Sequence, residues 1–249
     1  FMVVFVLLPL LLIGIYAFSD RSMMPSLQPA MNFFGSSSRF QVLFVSFVFG
    51  LLNTVISLLI AYPLAYFLAD RKVNKNTILV MLFVMPMWIN FVLRTWALRD
   101  VLNFMGIGGG DYPEMATLIG LVYNYLPFTI MPLYTTMLRL DKSQIEASQD
   151  LGAEPVRTFR KIILPMTMPG IVSAATMVFM PTMTSYVISD ILGEGKVTLF
   201  GKYIEIYFTQ NQWHDGSFLA LIMLVLIFAS VLVSRGFSHQ KNKEEKSAW

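Results

Sequence analysis

The sequence predicts an all-α membrane protein: six transmembrane helices with a pair of short helices at one membrane surface. Three observations predict it. Charged residues make up only 13% of the 249-residue chain, against about 25% in soluble proteins, and the mean hydropathy is +0.64. Uncharged apolar runs recur along the chain, the longest of 29 residues, and about 20 such residues cross a bilayer as a helix. Between two of these runs lies a polar interval that holds nine of the 33 charged residues and still carries helix signals.

Residues 1–18 are apolar and uncharged, enough for a first span. No basic segment precedes the run and no small-residue cleavage site follows it, so it is not read as a signal peptide. It opens on Phe1 in mid-helix character, which reads as a chain whose natural start lies upstream. Residues 19–40 form a polar loop with two prolines and three consecutive serines. The second span, 41–69, is longer than a crossing needs and carries Pro63, so a tilt and a kink are expected. A short basic turn, 70–76, leads to the third span, 77–93, with Pro86, Trp88 and Asn90. Residues 94–116 are amphipathic and then glycine-rich, so a loop is expected. The fourth span, 117–137, contains Pro127 and Pro132. The fifth, 169–189, contains Pro181, and the sixth is 217–234, with a charged tail at 235–249. All of this is one membrane domain.

The polar interval is 138–165, LRLDKSQIEASQDLGAEPVRTFRKIILP. Ser143 and Glu146 fit a capping box at a helix start. A short helix over Ile145–Leu151 would then end at Gly152 in the left-handed conformation. Pro155 suits the first position of a second helix, in which Val156, Phe159 and Ile163 share an apolar face. Arg157, Arg160 and Lys161 lie elsewhere on it, and Leu164-Pro165 ends it.

The distribution of Lys and Arg sets the orientation. The interval 138–165, the turn 70–76 and the tail hold five, three and four of them, and the remaining loops hold six. Both termini and the interval are therefore expected in the cytoplasm.

The interval resembles the EAA loop of the type I ABC importer permeases. Glu146-Ala147-Ser148, Gly152, Ile162 and Leu164-Pro165 match its pattern of E-A-A, three residues, G, nine residues, I-x-L-P, with Ser148 where the second alanine usually stands. Resemblance extends to AYPLAYFLA, to 117–153 and to MPTMTSYVISDILG, and within the family it points to the polyamine (spermidine/putrescine) permeases. That resemblance implies a cytoplasmic coupling helix pair docking on a separate ATPase through Glu146, Ala147, Ser148, Gly152, Ile162, Leu164 and Pro165. It implies as partners a second homologous permease subunit in a heterodimer, two ATPase subunits and an extracytoplasmic substrate-binding protein. The expected place is the cytoplasmic membrane of a bacterium, in a lipid bilayer. A permease for another small solute, or a carrier or channel acting alone, remains the alternative.

For the substrate path the fifth span offers most. Thr182, Ser185, Tyr186 and Ser189 fall on one helical face, and Asp190 is one turn from Tyr186. A carboxylate at the rim of a span must be paired or wet; it either lines the path or pairs with a loop cation such as Lys196. Trp88 and Trp96 fit either an interfacial aromatic belt or π surfaces for a cation.

Several classes have no support. His214 lies in a loop and His239 in the tail, on opposite sides, so no metal site is expected, and the chain has no cysteine. Gly193-Glu194-Gly195-Lys196 lacks the remainder of a phosphate loop and reads as a turn. No catalytic constellation, cofactor motif or basic face with interleaved aromatics for nucleic acid is found. Span centres carry no carboxylates, which argues against proton coupling.

Overall fold

A computed structural model of the chain describes residues 3–20, 22–70 and 78–247. The basic turn at 71–76 lies outside them. The described residues form helices: α1 Leu8–Ala17, α2 Gln28–Phe34, α3 Ser37–Ala69, α4 Ile78–Val84, α5 Phe91–Phe104 and α6 Pro113–Met137. Then follow α7 Lys142–Asp150, α8 Pro155–Thr158, α9 Leu164–Thr184, α10 Tyr186–Leu192, α11 Phe200–Thr209 and α12 Trp213–Ser247.

Helices α3, α6 and α9 pack on one another as the centre of the bundle, and α1 runs beside α12. Small residues let the central helices approach closely. Ala61 and Ala65 on α3 and Ala174 on α9 are fully buried beside Ile130 and Leu133 of α6. A side chain at Gly170 would begin 2.6 Å from the Thr136 hydroxyl, so α9 and α6 touch there only because it has none. Many large apolar residues elsewhere, such as Phe44, Leu59 and Phe67, remain exposed in the single chain. In hydrocarbon an outward apolar face carries no penalty.

Among the described residues four helices are long and apolar enough to cross a membrane: Ser37–Ala69, Pro113–Met137, Pro155–Thr184 and Trp213–Leu232. The pair Ile78–Trp88 and Phe91–Phe104, bent by 96°, makes a fifth if counted as one span, and Val4–Ala17 is apolar but shorter. The sequence reading of six spans thus meets four full-length helices, one broken pair and one short helix.

Three local expectations change. Residues 94–116 are not a loop throughout, because α5 occupies 91–104. After a 3-10 turn at Met85–Trp88 the chain becomes extended at Ile89, and the Asn90 side chain starts α5 by accepting from the N–H groups of Val92 and Leu93.

The fifth span is broken at its Thr184 end. The Pro181 carbonyl accepts from the Tyr125 and Thr184 hydroxyls at 3.2 and 3.1 Å, while the Ser185 N–H turns to Thr182 O. Helical pairing stops there, and α10 begins afresh at Tyr186. The single face of Thr182, Ser185, Tyr186 and Ser189 is therefore not formed: three of them are buried and Tyr186 is exposed.

Leu164-Pro165 does not end a helix either. Phe159–Ile163 is a π-turn in which the Leu164 N–H reaches back to Phe159 O. The widened turn precedes a proline that has no N–H to offer and would crowd the carbonyl four residues earlier. The chain consequently runs helical from Pro155 to Thr184.

Candidate functional site: a helix pair at one end of the bundle and a polar cluster at the other

Helix α7 starts two residues earlier than a Ser143 capping box requires. Asp141 is the cap, its Oδ1 accepting from the Ser143 N–H at 3.0 Å and the Ser143 hydroxyl at 2.7 Å. Those two bonds, the hydroxyl's first, hold the Asp141 carboxyl below the usual aspartate range. At the far end the Gly152 N–H donates to Gln149 O and the Ala153 N–H to Ser148 O, with Gly152 at φ +75°. This is a Schellman ending, in which a left-handed residue lets two orphan carbonyls be satisfied. Glu154 then stands at the N-cap position of α8 without a side-chain bond to it, with Pro155 in the first turn.

The turn leaves Leu151 88% exposed and Val156 67% exposed. Neither side chain is needed for the packing of this chain. The expected face of Val156, Phe159 and Ile163 is divided: Ile163 is buried and Phe159 packs edge-on to Tyr62 of α3 at 5.7 Å, while Val156 stays outside.

Ser148, the departure from the family pattern, is 8% exposed. Its hydroxyl lies 3.0 Å from that of Thr158 on α8 and also donates to Ile145 O. A methyl group could not make this link, so Ser148 ties the two short helices together. The spacing of ten residues hides that partnership from sequence inspection. Ala147 and Glu146 are exposed. Glu146 lines a cavity of about 300 Å³ with Tyr66 and Asp70 at the end of α3 and Met137 and Leu140 at the end of α6. Ile162, Leu164 and Pro165 are half-buried at the root of α9. The helix pair thus runs through the π-turn into α9, Phe159 of that turn touches α3, and α7 faces the ends of α3 and α6 across the cavity.

At the other end, α10 packs against α5, α6 and α11. Asp190 on α10 is half-exposed and lies 3.5 Å from Lys202 Nζ, which is also 3.0 Å from Glu205. The hydrogen bond to Glu205 raises the Lys202 ammonium pKa, burial opposes that, and the Asp190 charge adds to it. Lys196, considered as the partner of Asp190, instead donates to the Gly110 carbonyl. Arg99 and Glu194, paired at 2.9 Å, strap α5 to the turn after α10. Trp96 has one face covered by the Arg99 guanidinium, 5.0 Å from its ring. Trp88, in the 3-10 turn, is 84% exposed. Among the described residues no ring contact joins either tryptophan to Tyr186.

Two buried polar hubs were missed from sequence. Asn53 donates to the Thr182 hydroxyl at 2.6 Å and accepts from Ser57, linking α3 to α9. Arg94, read as a loop charge, is 7% exposed. Its Nε and Nη2 donate to Asn124 Oδ1 at 3.0 and 2.6 Å, its Nη1 to Pro86 O at 2.7 Å, and its plane lies over Tyr123. It fastens both arms of the broken span to α6. Lone asparagines inside apolar runs were the available signal, since an amide in hydrocarbon needs a partner.

Comparisons with known proteins accord with this arrangement. Residues 1–240 match the family described as binding-protein-dependent transport system inner membrane component. The spermidine/putrescine transport system permease protein PotB of Escherichia coli (strain K12) is 34% identical over 220 residues, covering 82% of this chain and 80% of that one. The protein of that name in Haemophilus influenzae is 32% identical over 252 residues, covering 93% and 88%. Among solved structures, a chain of a bacterial alginate ABC transporter, in complex with an alginate pentasaccharide-bound periplasmic protein, superposes with a TM-score of 0.72. It covers 97% of this chain and 91% of that one at 12% identity, which is a likeness of fold.

Proposed function

Because the chain belongs to the family of inner membrane components of binding-protein-dependent transport systems, we propose that it is the permease subunit of an ATP-driven importer of polyamines. In this reading it crosses the cytoplasmic membrane six times with both termini inside. A second, homologous permease completes the translocation path, two cytoplasmic ATPase subunits drive it, and an extracytoplasmic binding protein delivers spermidine or putrescine. The observation that carries the coupling role is the helix pair α7–α8, joined through the π-turn to α9, with Leu151 and Val156 bare on either side of the Gly152 turn. A force applied to that turn reaches the central bundle through packed helices rather than through a loose loop. Glu146, Ala147 and Ser148 on α7 and Ile162, Leu164 and Pro165 at the root of α9 are the coupling residues.

A polyamine carries several ammonium groups, each too costly to desolvate without a partner. Tyr186 and Asp190 offer an aromatic face and a carboxylate one helical turn apart at the outer mouth, and Trp88 and Trp96 add aromatic surface. Lys202, itself an ammonium, rests between Asp190 and Glu205 and stands where a substrate ammonium group would exchange with it. The names of the relatives above support the same substrate class.

ATP-dependent uptake of labelled spermidine by vesicles holding the full assembly tests the proposal. Wild type accumulates spermidine, Asp190→Lys does not, and both keep the ATPase and its basal hydrolysis. Normal uptake by Asp190→Lys removes that residue from the path. Uptake by the isolated chain without ATP would instead establish a carrier acting alone.

A further inference from the structure

On the cytoplasmic side, beginning at the Gly152–Glu154 turn, a hollow of about 670 Å³ runs along the outside of α8 and the π-turn to Arg157, Arg160 and Lys161. All three cations are exposed, and among the described residues none has a carboxylate within ion-pair distance. Glu154 is the only acidic residue lining the hollow, so its charge is positive. At the opposite end of the bundle Arg39, Arg99 and Lys202 each have an acid within reach. Three unpaired cations side by side repel one another, and a counter-charge from outside the chain would relieve that.

Their height relative to the membrane says where the counter-charge resides. From Ile162 to Ser189 the chain has no charged residue. The helical part of that run, from Ile162 to Thr184, is about 34 Å long against about 30 Å of hydrocarbon, so Ile162 lies at the inner edge of the hydrocarbon or a few ångström outside it. At about 1.5 Å per helical residue, Lys161, Arg160 and Arg157 stand within about 8 Å of Ile162. The headgroup layer on each side of a bilayer is about 5–7 Å deep. Their direction agrees. Phe159 and Ile163 turn inward to α3 and the core, and Arg157 and Lys161, two residues either side of Phe159, lie on the opposite side of the helix.

We propose that Arg157, Arg160 and Lys161 form a binding site for the phosphate headgroup of an anionic lipid of the inner leaflet, seated in the hollow beside the coupling turn. Guanidinium groups bind phosphate oxygens in pairs and the lysine adds a point charge. The bound lipid holds the root of α9 at the membrane surface, so the helix pair keeps its height as the turn is pushed. The site rests on the membrane placement of α9 and not on the identity of the substrate.

The test uses the complete assembly in nanodiscs of equal parts phosphatidylcholine and phosphatidylglycerol, with lipid retained on the complex read by native mass spectrometry. Wild type is expected to retain phosphatidylglycerol selectively. Each cation removed should weaken that preference about fivefold, the worth of one cation at an anionic surface. The combined variant R157Q/R160Q/K161Q should therefore lose it, while Lys161→Arg keeps it. Leu151→Asp, in the docking turn, should release the ATPase in either lipid and leave the lipid preference intact. Retained selectivity in the combined variant overturns the proposal. So does loss of the ATPase from that variant in discs of phosphatidylcholine alone, which assigns the cations to an acidic rim of the ATPase. Displacement of phosphatidylglycerol by inorganic phosphate at equal concentration assigns the hollow to a soluble anion and overturns it as well.

Discussion

Replacing Asn124 with leucine tests the Arg94 hub. Arg94 is 7% exposed and none of its partners is a carboxylate. Its charge is balanced by Asn124 Oδ1, which takes two of its N–H groups, by Pro86 O, and by the ring of Tyr123. Asn124 is 1% exposed and also donates to Gly120 O and Thr95 Oγ1. In Asn124→Leu the guanidinium stays buried with its main acceptor gone, a stranding that costs about 3–5 kcal/mol. For a chain of this length a kcal/mol moves the midpoint about 2–4 °C, so the shift expected is about 6–20 °C downward. Arg94→Met removes the charge and leaves the Asn124 and Pro86 oxygens unsatisfied, at about 1–3 kcal/mol for each. The double variant Arg94→Met/Asn124→Leu strands no charge and should recover about 2 kcal/mol relative to the sum of the two. Thermal unfolding of the solubilised protein, followed by tryptophan fluorescence, reads all three. Additive effects in the double variant, or an unshifted midpoint in Asn124→Leu, would refute the hub.

Gly152 has open space where a Cβ would stand, so its substitution penalty comes from φ +75° alone. Gly152→Asn should preserve coupling of ATP hydrolysis to uptake, and Gly152→Val, strained by about 1–3 kcal/mol, should lose it. Ser148→Ala removes the bond to buried Thr158 and should loosen α7 from α8 by about 1 kcal/mol, seen as faster amide exchange, with the ATPase still bound. The lowered pKa of Asp141 means that its cap stabilises α7 above the ordinary aspartate range and is lost as pH falls through the folded value. Exchange protection of α7 should therefore drop below about pH 4, and Asp141→Ala should remove that pH dependence.

What the linear chain determined by itself is local or additive. Sparse charge and long apolar runs require membrane helices, because hydrocarbon admits no unpaired backbone group. The Gly152 ending, Pro155 in the first turn of α8 and the spacing from Glu146 to Pro165 were legible because each depends on neighbours a few residues away. The bend after Trp88, the break at Ser185 and the passage of a helix through Leu164-Pro165 were not. Each depends on who receives a carbonyl that a proline or a turn has released: the Arg94 guanidinium for Pro86, the Tyr125 and Thr184 hydroxyls for Pro181, the π-turned Leu164 N–H for Phe159. Two of those donors, Arg94 and Tyr125, sit 8 and 56 residues from their acceptors. The partners of Ser148 and Asp190 were equally out of reach, since a hydroxyl or carboxylate takes whichever donor packing brings within 3 to 3.5 Å. Only the tertiary structure decides that, because every buried polar group must be paired but the chain order does not say with which.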